Sequence, residues 1–251
     1  MNLLHLFLLL LIPSFFLAQD HISVYNKGVE AQKSQRYQEA IEHYKACLKI
    51  QPKFSKALSN IGIAHYNMAL QNYENKAYES ALEQLNKAQK YRPEDPKIAY
   101  MQGNCKHEQG NYQEAVKQYD IAIKMTDKAA LFYAARAWSN NAMNQQEQGL
   151  KDMQSAAKAD SSKASYPYHC GRFKQEISQK LYKTAVQDFD AALAIDPNYE
   201  EAYRERGAYF MTFGQFKKAL PDLLRAKELG AEDVDSFIDA AKFELQTQQN
   251  D

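Results

Sequence analysis

The sequence has few of the residues that form hinges, linkers and disulfide frameworks. Of 251 residues, nine are Gly, seven are Pro and three are Cys. No Ser/Gly-rich or charge-rich stretch divides the chain, which favours one continuous body. Lys plus Arg number 31, as do Asp plus Glu, so no net charge attracts the chain to nucleic acid or to an acidic membrane surface. We therefore expect no nucleic-acid partner.

Motifs of catalysis and metal binding are also missing. There is no G-x-x-x-x-G-K, no H-E-x-x-H and no C-x-x-C, and the six histidines fall at unrelated positions. The three cysteines, Cys47, Cys105 and Cys170, are odd in number and widely spaced, so we expect buried thiols rather than disulfides or zinc ligands. The sequence predicts no catalytic residue, no metal site and no cofactor, and we do not expect an enzyme.

Long apolar runs are absent except at the N-terminus, which reads MNLLHLFLLLLIPSFFLA over residues 1–18. Residues 3–12 would give roughly 15 Å of helix, too short for a hydrocarbon core of about 30 Å. This pattern is typical of a secretory signal peptide, with cleavage expected after Ala18. It predicts an exported chain, periplasmic or secreted, with an uncleaved membrane anchor as the alternative.

One short pattern recurs along the rest of the chain. RYQEAIEHYK at residue 36 is echoed by NYQEAVKQYD at 111, LYKTAVQDFD at 181 and QFKKALPDLL at 215. The leading aromatics Tyr78 and Tyr112 are 34 residues apart, as are Tyr182 and Phe216. The other spacings fit the same period if copy two carries seven additional residues and copy five carries two. A period of this length indicates stacked supersecondary units.

Alignment of the six copies shows which positions hold small and which hold bulky side chains. The eighth position is occupied by Gly28, Gly62, Gly103, Ala137, Gly171 and Gly207, and the twentieth by Ala40, Ala81, Ala115, Gly149, Ala185 and Ala219. Four residues after the latter come Tyr44, Leu85, Tyr119, Met153, Phe189 and Leu223. Because Gly within a helix costs about 1 kcal/mol relative to Ala, its retention suggests close packing of two helices.

This pattern resembles the tetratricopeptide repeat (TPR), a helix-turn-helix unit of 34 residues. The resemblance implies an all-α fold, an α-solenoid of six TPR repeats, over residues 21–54, 55–95, 96–129, 130–163, 164–199 and 200–233. Residues 234–247 read as an amphipathic C-terminal helix that caps the last repeat. The insertion in copy two predicts a longer first helix and loop, and Pro221 predicts a late start or a kink in the second helix of copy six.

The resemblance also implies a concave face, lined mainly by the second, fifth, ninth and twelfth positions of each first helix. Carried over, these positions contain four basic residues and one acidic residue. We therefore predict a groove for an extended, neutral-to-acidic peptide or a partner protein. The candidate binding residues are Tyr25, Lys56, Lys97, Tyr100, Asn104, His107, Trp138, Asn141, Tyr168, Arg172 and Arg204.

Two functions remain open at this stage. The first is a non-enzymatic protein-protein interaction scaffold in the bacterial cell envelope. The alternative is a self-associating or anchored accessory subunit of a larger envelope or secretion assembly. We expect contact with a membrane only if the N-terminal segment stays uncleaved.

Overall fold

The computed structural model describes residues 21–250, which form helices and contain no strand. The all-α fold class is therefore confirmed. The predicted signal peptide at residues 1–18 lies outside the described residues. The chain divides after Met125 into two compact units, not the single body that the absence of linkers favoured, because the division falls in a short link between helices and needs no linker composition.

Unit 1 contains six helices, two from each of the first three copies. They are α1 (21–33), α2 (Tyr37–Ile50), α3 (Ser55–Glu74), α4 (Tyr78–Tyr91), α5 (Pro96–Glu108) and α6 (Tyr112–Lys124). Unit 2 contains two helices from each of the last three copies and one further helix. They are α7 (Ala130–Ala142), α8 (Gln146–Ala159), α9 (Ser165–Ile177), α10 (Gln179–Ile195), α11 (Glu200–Thr212), α12 (Phe216–Glu228) and α13 (Asp235–Asn250). Within each unit, neighbouring helices pack in chain order.

Five of the six copies join their two helices by the same three-residue turn. Its middle residue has a positive φ and is Gln35, Lys76, Gly110, Asn144 or Gly214. In copy one the Arg36 amide donates to the Ala31 carbonyl (2.9 Å), and each of the other four turns has the matching bond. This is the Schellman arrangement, which pairs carbonyls left open at a helix end.

Copy five departs from this turn. Its two helices are joined by Ser178 alone, whose hydroxyl accepts a hydrogen bond from the Leu181 amide (3.3 Å) as an N-cap. Helix α10 has 17 residues, where the matching helices have 13 or 14. The additional residues are therefore absorbed into the second helix.

The close helix approach predicted from the small residues is confirmed. A Cβ on Gly28 would lie 2.6 Å from Tyr44 Cε1, one on Gly171 would lie 2.5 Å from Phe189 Cε1, and one on Gly207 would lie 2.9 Å from Leu223 Cδ2. In each pair the bulky ring or branched chain of the second helix fills the space that Gly leaves. The bulky residues at this position are at most 1 % exposed.

Copy two solves the same packing problem differently. Helix α3 has 20 residues against 13 in α5, α7, α9 and α11. The longer helix is confirmed and the longer loop is wrong, because the turn keeps three residues. Ala69, sixteen residues before Leu85, lies in the same buried cluster as Leu85. Gly62 instead accommodates Arg92, whose Cδ would lie 2.8 Å from an added Cβ.

The C-terminal helix, α13, packs against α12 at the end of unit 2. Val234, Ile238 and Ala241 are buried at the end of copy six, where Val234 and Ile238 join a cluster with Leu223. Phe243 faces away and is 63 % exposed. Helix α12 begins at Phe216 despite Pro221, so the late start is wrong; Pro221 lies inside the helix, where it removes one backbone donor.

In unit 2, two similar ion pairs each join the first and second helix of one copy. Arg136 on α7 donates from Nε and Nη2 to Asp152 on α8 (3.0 and 2.6 Å). Arg206 on α11 holds Asp222 on α12 in the same way (both 2.7 Å). Asp152 is 2 % exposed and Asp222 is 6 % exposed. A bidentate pair with both acceptor oxygens engaged offsets the cost of burying each carboxylate.

Candidate functional site

In unit 1, the predicted aromatic residues pack mainly against their own copies. The Tyr25 hydroxyl accepts a hydrogen bond from Asn60 Nδ2 (3.0 Å), and its ring lies 5.1 Å from that of Phe54. The ring of Tyr100 lies 6.0 Å from that of Tyr119. Both rings are partly buried. They line the first-helix face but offer only part of their surface to a ligand.

The predicted polar residues of unit 1 divide into engaged and exposed groups. Asn104 Oδ1 accepts from the Tyr119 hydroxyl (2.8 Å), so its carbonyl oxygen is already paired. The His107 ring lies 5.1 Å from that of Tyr112. Lys56 and Lys97 are exposed. These residues therefore share a face without converging on one point.

Unit 2 brings several predicted residues together in what we call the aromatic row: Trp138, His169, Tyr168 and Tyr199. Trp138 lies on α7, His169 and Tyr168 lie on α9, and Tyr199 precedes α11. Successive ring centroids are 4.9, 5.0 and 5.2 Å apart. The row therefore joins copy four to copy five and ends at Tyr199, the residue before α11.

The aromatic row is open to solvent at its Trp138 end. Trp138 is 39 % exposed and its ring also lies 5.4 Å from that of Phe173. No described residue accepts a hydrogen bond from its indole N–H. An exposed, uncommitted indole combines a large apolar surface with a free donor, a combination typical of binding surfaces.

Three buried polar atoms on the helices of the row have no partner among the described residues. They are Nε of Arg172 on α9, Oδ1 of Asn141 on α7 and Oε1 of Glu200, which follows Tyr199 on α11. A buried polar atom without a hydrogen bond costs about 1–3 kcal/mol.

The basic groups predicted for unit 2 are neutralised within the chain. Arg172 Nη1 donates to Glu205 (2.9 Å) and, more weakly, to the Tyr168 hydroxyl (3.4 Å). Arg204 Nη1 lies 3.4 Å from Asp233. Arg172 and Arg204 therefore add no unpaired positive charge to the predicted concave face. The sequence count included only four positions of each first helix, and neither Glu205 nor Asp233 is at one of them.

The aromatic row itself carries no charge at neutral pH. Burial lowers the pKa of His169, with the Arg172 guanidinium adding to the effect. Burial also raises the pKa of Tyr199 to about 12. The imidazole and both phenols are therefore neutral under physiological conditions.

Sequence reasoning missed three residues here: His169, Tyr199 and Glu205. His169 and Glu205 occupy the sixth position of their copies, next to the fifth position that was counted. Tyr199 is the last residue of copy five. The sequence did contain one signal: the aromatic pair Tyr168 and His169 comes in the copy that follows the copy with Trp138. The rotation of helix α9 relative to α7, which brings these rings into contact, could not be predicted from the sequence.

Within residues 21–250, no three His, Cys, Asp or Glu side chains are grouped as a metal site would require. Over the same residues, no helix is long and apolar enough to cross a membrane. The three cysteines are free and buried, as predicted. Burial raises the pKa of Cys105 to about 11 and that of Cys170 to about 12, which suppresses the reactive thiolate.

Two parts of the chain match family models described as tetratricopeptide repeat, residues 23–54 and residues 66–130. One curated relative is serine/threonine-protein phosphatase T of Trypanosoma brucei brucei (strain 927/4 GUTat10.1), 30 % identical over 67 residues. The match covers 27 % of this chain and 14 % of that protein. The chain therefore spans only a small part of its curated relative.

Several solved structures share the fold at low sequence identity. A crystal structure of MamA is 16 % identical, with a TM-score of 0.58, over 64 % of this chain and 93 % of that chain. The crystal structure of YrrB, described as a TPR protein with an unusual peptide-binding site, is 16 % identical, with a TM-score of 0.56, over 82 % and 97 %. PilF of Pseudomonas aeruginosa is 14 % identical, with a TM-score of 0.57, over 88 % and 97 %.

Proteins with this fold are generally non-catalytic and mediate protein-protein interaction. With the two matched stretches, the buried small and bulky positions and the paired helices, this chain is shown to carry tetratricopeptide repeats.

Proposed function

We propose that this chain is a non-enzymatic interaction module of the bacterial cell envelope, and that it binds an extended segment of a partner protein along the aromatic row. The observation that carries the proposal is the exposed Trp138 ring at the open end of four touching rings. Trp, Tyr and Arg side chains dominate the energetics of protein interfaces. The aromatic row and Arg172 supply all three types in one place.

The peptide-binding site named for YrrB supports this reading by analogy of fold alone. Lys56 and Lys97 in unit 1 remain predicted contacts for the same or another partner. The envelope location rests on the apolar segment at residues 1–18 and its expected cleavage after Ala18. Mass measurement of the chain recovered from an exporting host tests that cleavage.

The binding proposal is tested by affinity capture from a bacterial envelope extract with the full chain as bait. We expect Trp138→Ala to lose the captured partner. Phe243→Ala is the matched control, because it removes an exposed aromatic ring from the same unit but away from the row. If the same partner is retained equally by both variants, the row is not the binding face.

Self-association, or attachment to a larger assembly, is a second candidate function. It is favoured by the first helix, where Ile22 is 41 % exposed and no helix from a preceding copy covers it among the described residues. Mass measurement of the chain over a range of concentrations tests this candidate, with Ile22→Ser expected to reduce any oligomer. A mass that stays monomeric at every concentration rules out self-association.

A further inference from the structure

We propose that the basic edge of unit 1, formed by Lys49, Lys53 and Lys56, binds a membrane surface that carries anionic lipid headgroups. The basic edge lies in unit 1 and the aromatic row lies in unit 2, so this inference goes beyond the proposed partner binding. The sequence predicted membrane contact only through an uncleaved N-terminal segment, whereas the basic edge needs no such anchor.

The basic edge lies where α2 ends and α3 begins. Lys49 is in the last turn of α2, Lys53 is in the link, and Lys56 is in the first turn of α3. All three are exposed, and none forms an ion pair with a described carboxylate. From residue 43 to residue 73 the sequence contains four lysines and no Asp or Glu. Three positive charges are therefore grouped without compensation from the described residues.

The position of Lys56 is not explained by the stability of its own helix. A cation near a helix C-terminus is favourable, which accounts for Lys49, but a cation in the first turn opposes the helix dipole. Helix α3 has no acidic residue in its first turn, whereas α11 begins with Glu200 and Glu201. A residue that is unfavourable for its helix but suited to an external anion indicates a binding role.

The neighbouring link adds positive charge to the basic edge. Arg92 Nη1, in the link between α4 and α5, donates to Ser59 Oγ on α3 (2.9 Å), so the second link lies beside the start of α3. In and next to this second link, three basic residues face two acidic ones: Lys90, Arg92 and Lys97 against Glu94 and Asp95. The zero net charge of the whole chain does not prevent surface binding, because charges act over only about 10 Å at 0.1 M salt.

The chain enters unit 1 at this same edge. The ring of His21, the first described residue, lies 5.3 Å from the ring of Phe54 in the link. The apolar residues 1–18 therefore lead into unit 1 beside the lysines, and Asp20 can pair with only one of them. Ile22 is 41 % exposed and adds an apolar side chain. Lysines beside an exposed apolar residue are typical of proteins that lie on a membrane surface.

A lipid surface fits the basic edge better than a protein or a nucleic acid does. Lysine is a compact point charge, without the planar fork by which Arg selects one carboxylate or phosphate. Helices α2 and α3 have no buried polar atom that lacks a partner and that a specific ligand would satisfy. A layer of anionic headgroups requires only exposed positive charge and some apolar surface.

Vesicle sedimentation tests the inference with the chain recovered from an exporting host. One set of vesicles is phosphatidylcholine alone, and the other contains one quarter phosphatidylglycerol. We expect binding to the anionic vesicles, weakened as NaCl rises from about 0.1 M to about 0.5 M. Because each lysine near an anionic surface strengthens binding about fivefold, the triple variant Lys49→Gln, Lys53→Gln, Lys56→Gln should bind these vesicles about a hundredfold more weakly.

The matched control is the triple variant Lys33→Gln, Lys76→Gln, Lys117→Gln. It removes the same charge from three exposed positions of unit 1 outside the basic edge, and it should bind about as tightly as the unmodified chain. Residues 1–18 contain no Asp, Glu, Lys or Arg, so an uncleaved segment contributes alike in every variant. Circular dichroism confirms that each variant is folded.

Three results would overturn the inference: equal binding of the unmodified chain to both kinds of vesicle, binding to neither, or an equal loss in both triple variants. If vesicles do not bind but the basic-edge variant loses an acidic protein captured from an envelope extract, the edge is a protein-binding site and the inference is also overturned. Trp138→Ala should bind anionic vesicles normally. Failure of the aromatic-row proposal is therefore distinguishable from failure of this one.

Discussion

The ring of Tyr119 occupies the space that any side chain on Gly103 would need, since a Cβ there would lie 2.5 Å from Tyr119 Cε1. Gly103 lies on α5 and Tyr119 on α6, and Tyr119 is 1 % exposed. The contact fixes how closely the two helices approach.

Gly103→Leu should therefore overpack the α5–α6 pair and lower the free energy of unfolding by about 1–3 kcal/mol. Chemical denaturation measures the change. Lys97→Leu, an exposed position on the same helix, is the control for adding a leucine to α5 outside the helix contact and should change stability by less than about 0.5 kcal/mol. Unchanged stability of Gly103→Leu would show that the helices are free to separate.

Asp152→Ala should be strongly destabilising, because it leaves the Arg136 guanidinium partly buried without its carboxylate. Breaking one partner of a buried pair costs about 3–5 kcal/mol. The double variant Arg136→Met, Asp152→Leu should recover most of that loss, since neither charge remains. A double-mutant cycle by urea denaturation measures the coupling, and additive losses would argue that the two side chains do not interact.

Ile238→Ala should destabilise unit 2 by about 2–4 kcal/mol. Ile238 lies on α13, is 3 % exposed and belongs to the same buried cluster as Leu223. Phe243→Ala on the same helix should have an effect within about 0.5 kcal/mol, since Phe243 is 63 % exposed. Thermal unfolding separates the two. Similar losses would mean that α13 packs in another orientation.

His65 should make the chain less stable in mild acid. Burial lowers the pKa of His65, with Lys87 and Lys45 adding to the effect, and Gln84 Oε1 lies 2.8 Å from Nδ1. The unfolded chain then binds more protons below about pH 6.5. Stability should fall as pH drops from 7.5 through that value, and less so in His65→Gln. A folded pKa above the unfolded one, measured by NMR, would contradict this.

The buried positions could be predicted from the sequence because the distance between paired helices fixes them. A spacing of 16 residues brings Gly28 under Tyr44 and Gly103 under Tyr119, and only a small side chain fits there. The same rule fails for Gly62 in copy two, because the insertion lies within α3. Ala69, sixteen residues before Leu85, lies in the same buried cluster as Leu85, and Gly62 lies against Arg92.

The candidate site was less accessible to sequence reasoning. Trp138 and Tyr168 were found from the repeat register, whereas His169, Tyr199 and Glu205 depend on how neighbouring copies rotate against one another. Lateral contacts of this kind have no fixed spacing: Arg172 and Glu205 are 33 residues apart, and Arg204 and Asp233 are 29 apart. Periodicity alone therefore overstated the positive charge of the face.

The length of α3 also explains why an insertion of that size leaves unit 1 intact. Seven residues turn a helix by about 20° less than two full revolutions, so the added segment continues the buried stripe from Ile61 and Gly62 to Ala69 almost in line. Five residues would have rotated the remainder of the helix by roughly 140° and turned its apolar side toward water. A helix of this repeat array can therefore be lengthened by seven residues while its buried side still faces the neighbouring helices, so those helices need no compensating substitutions.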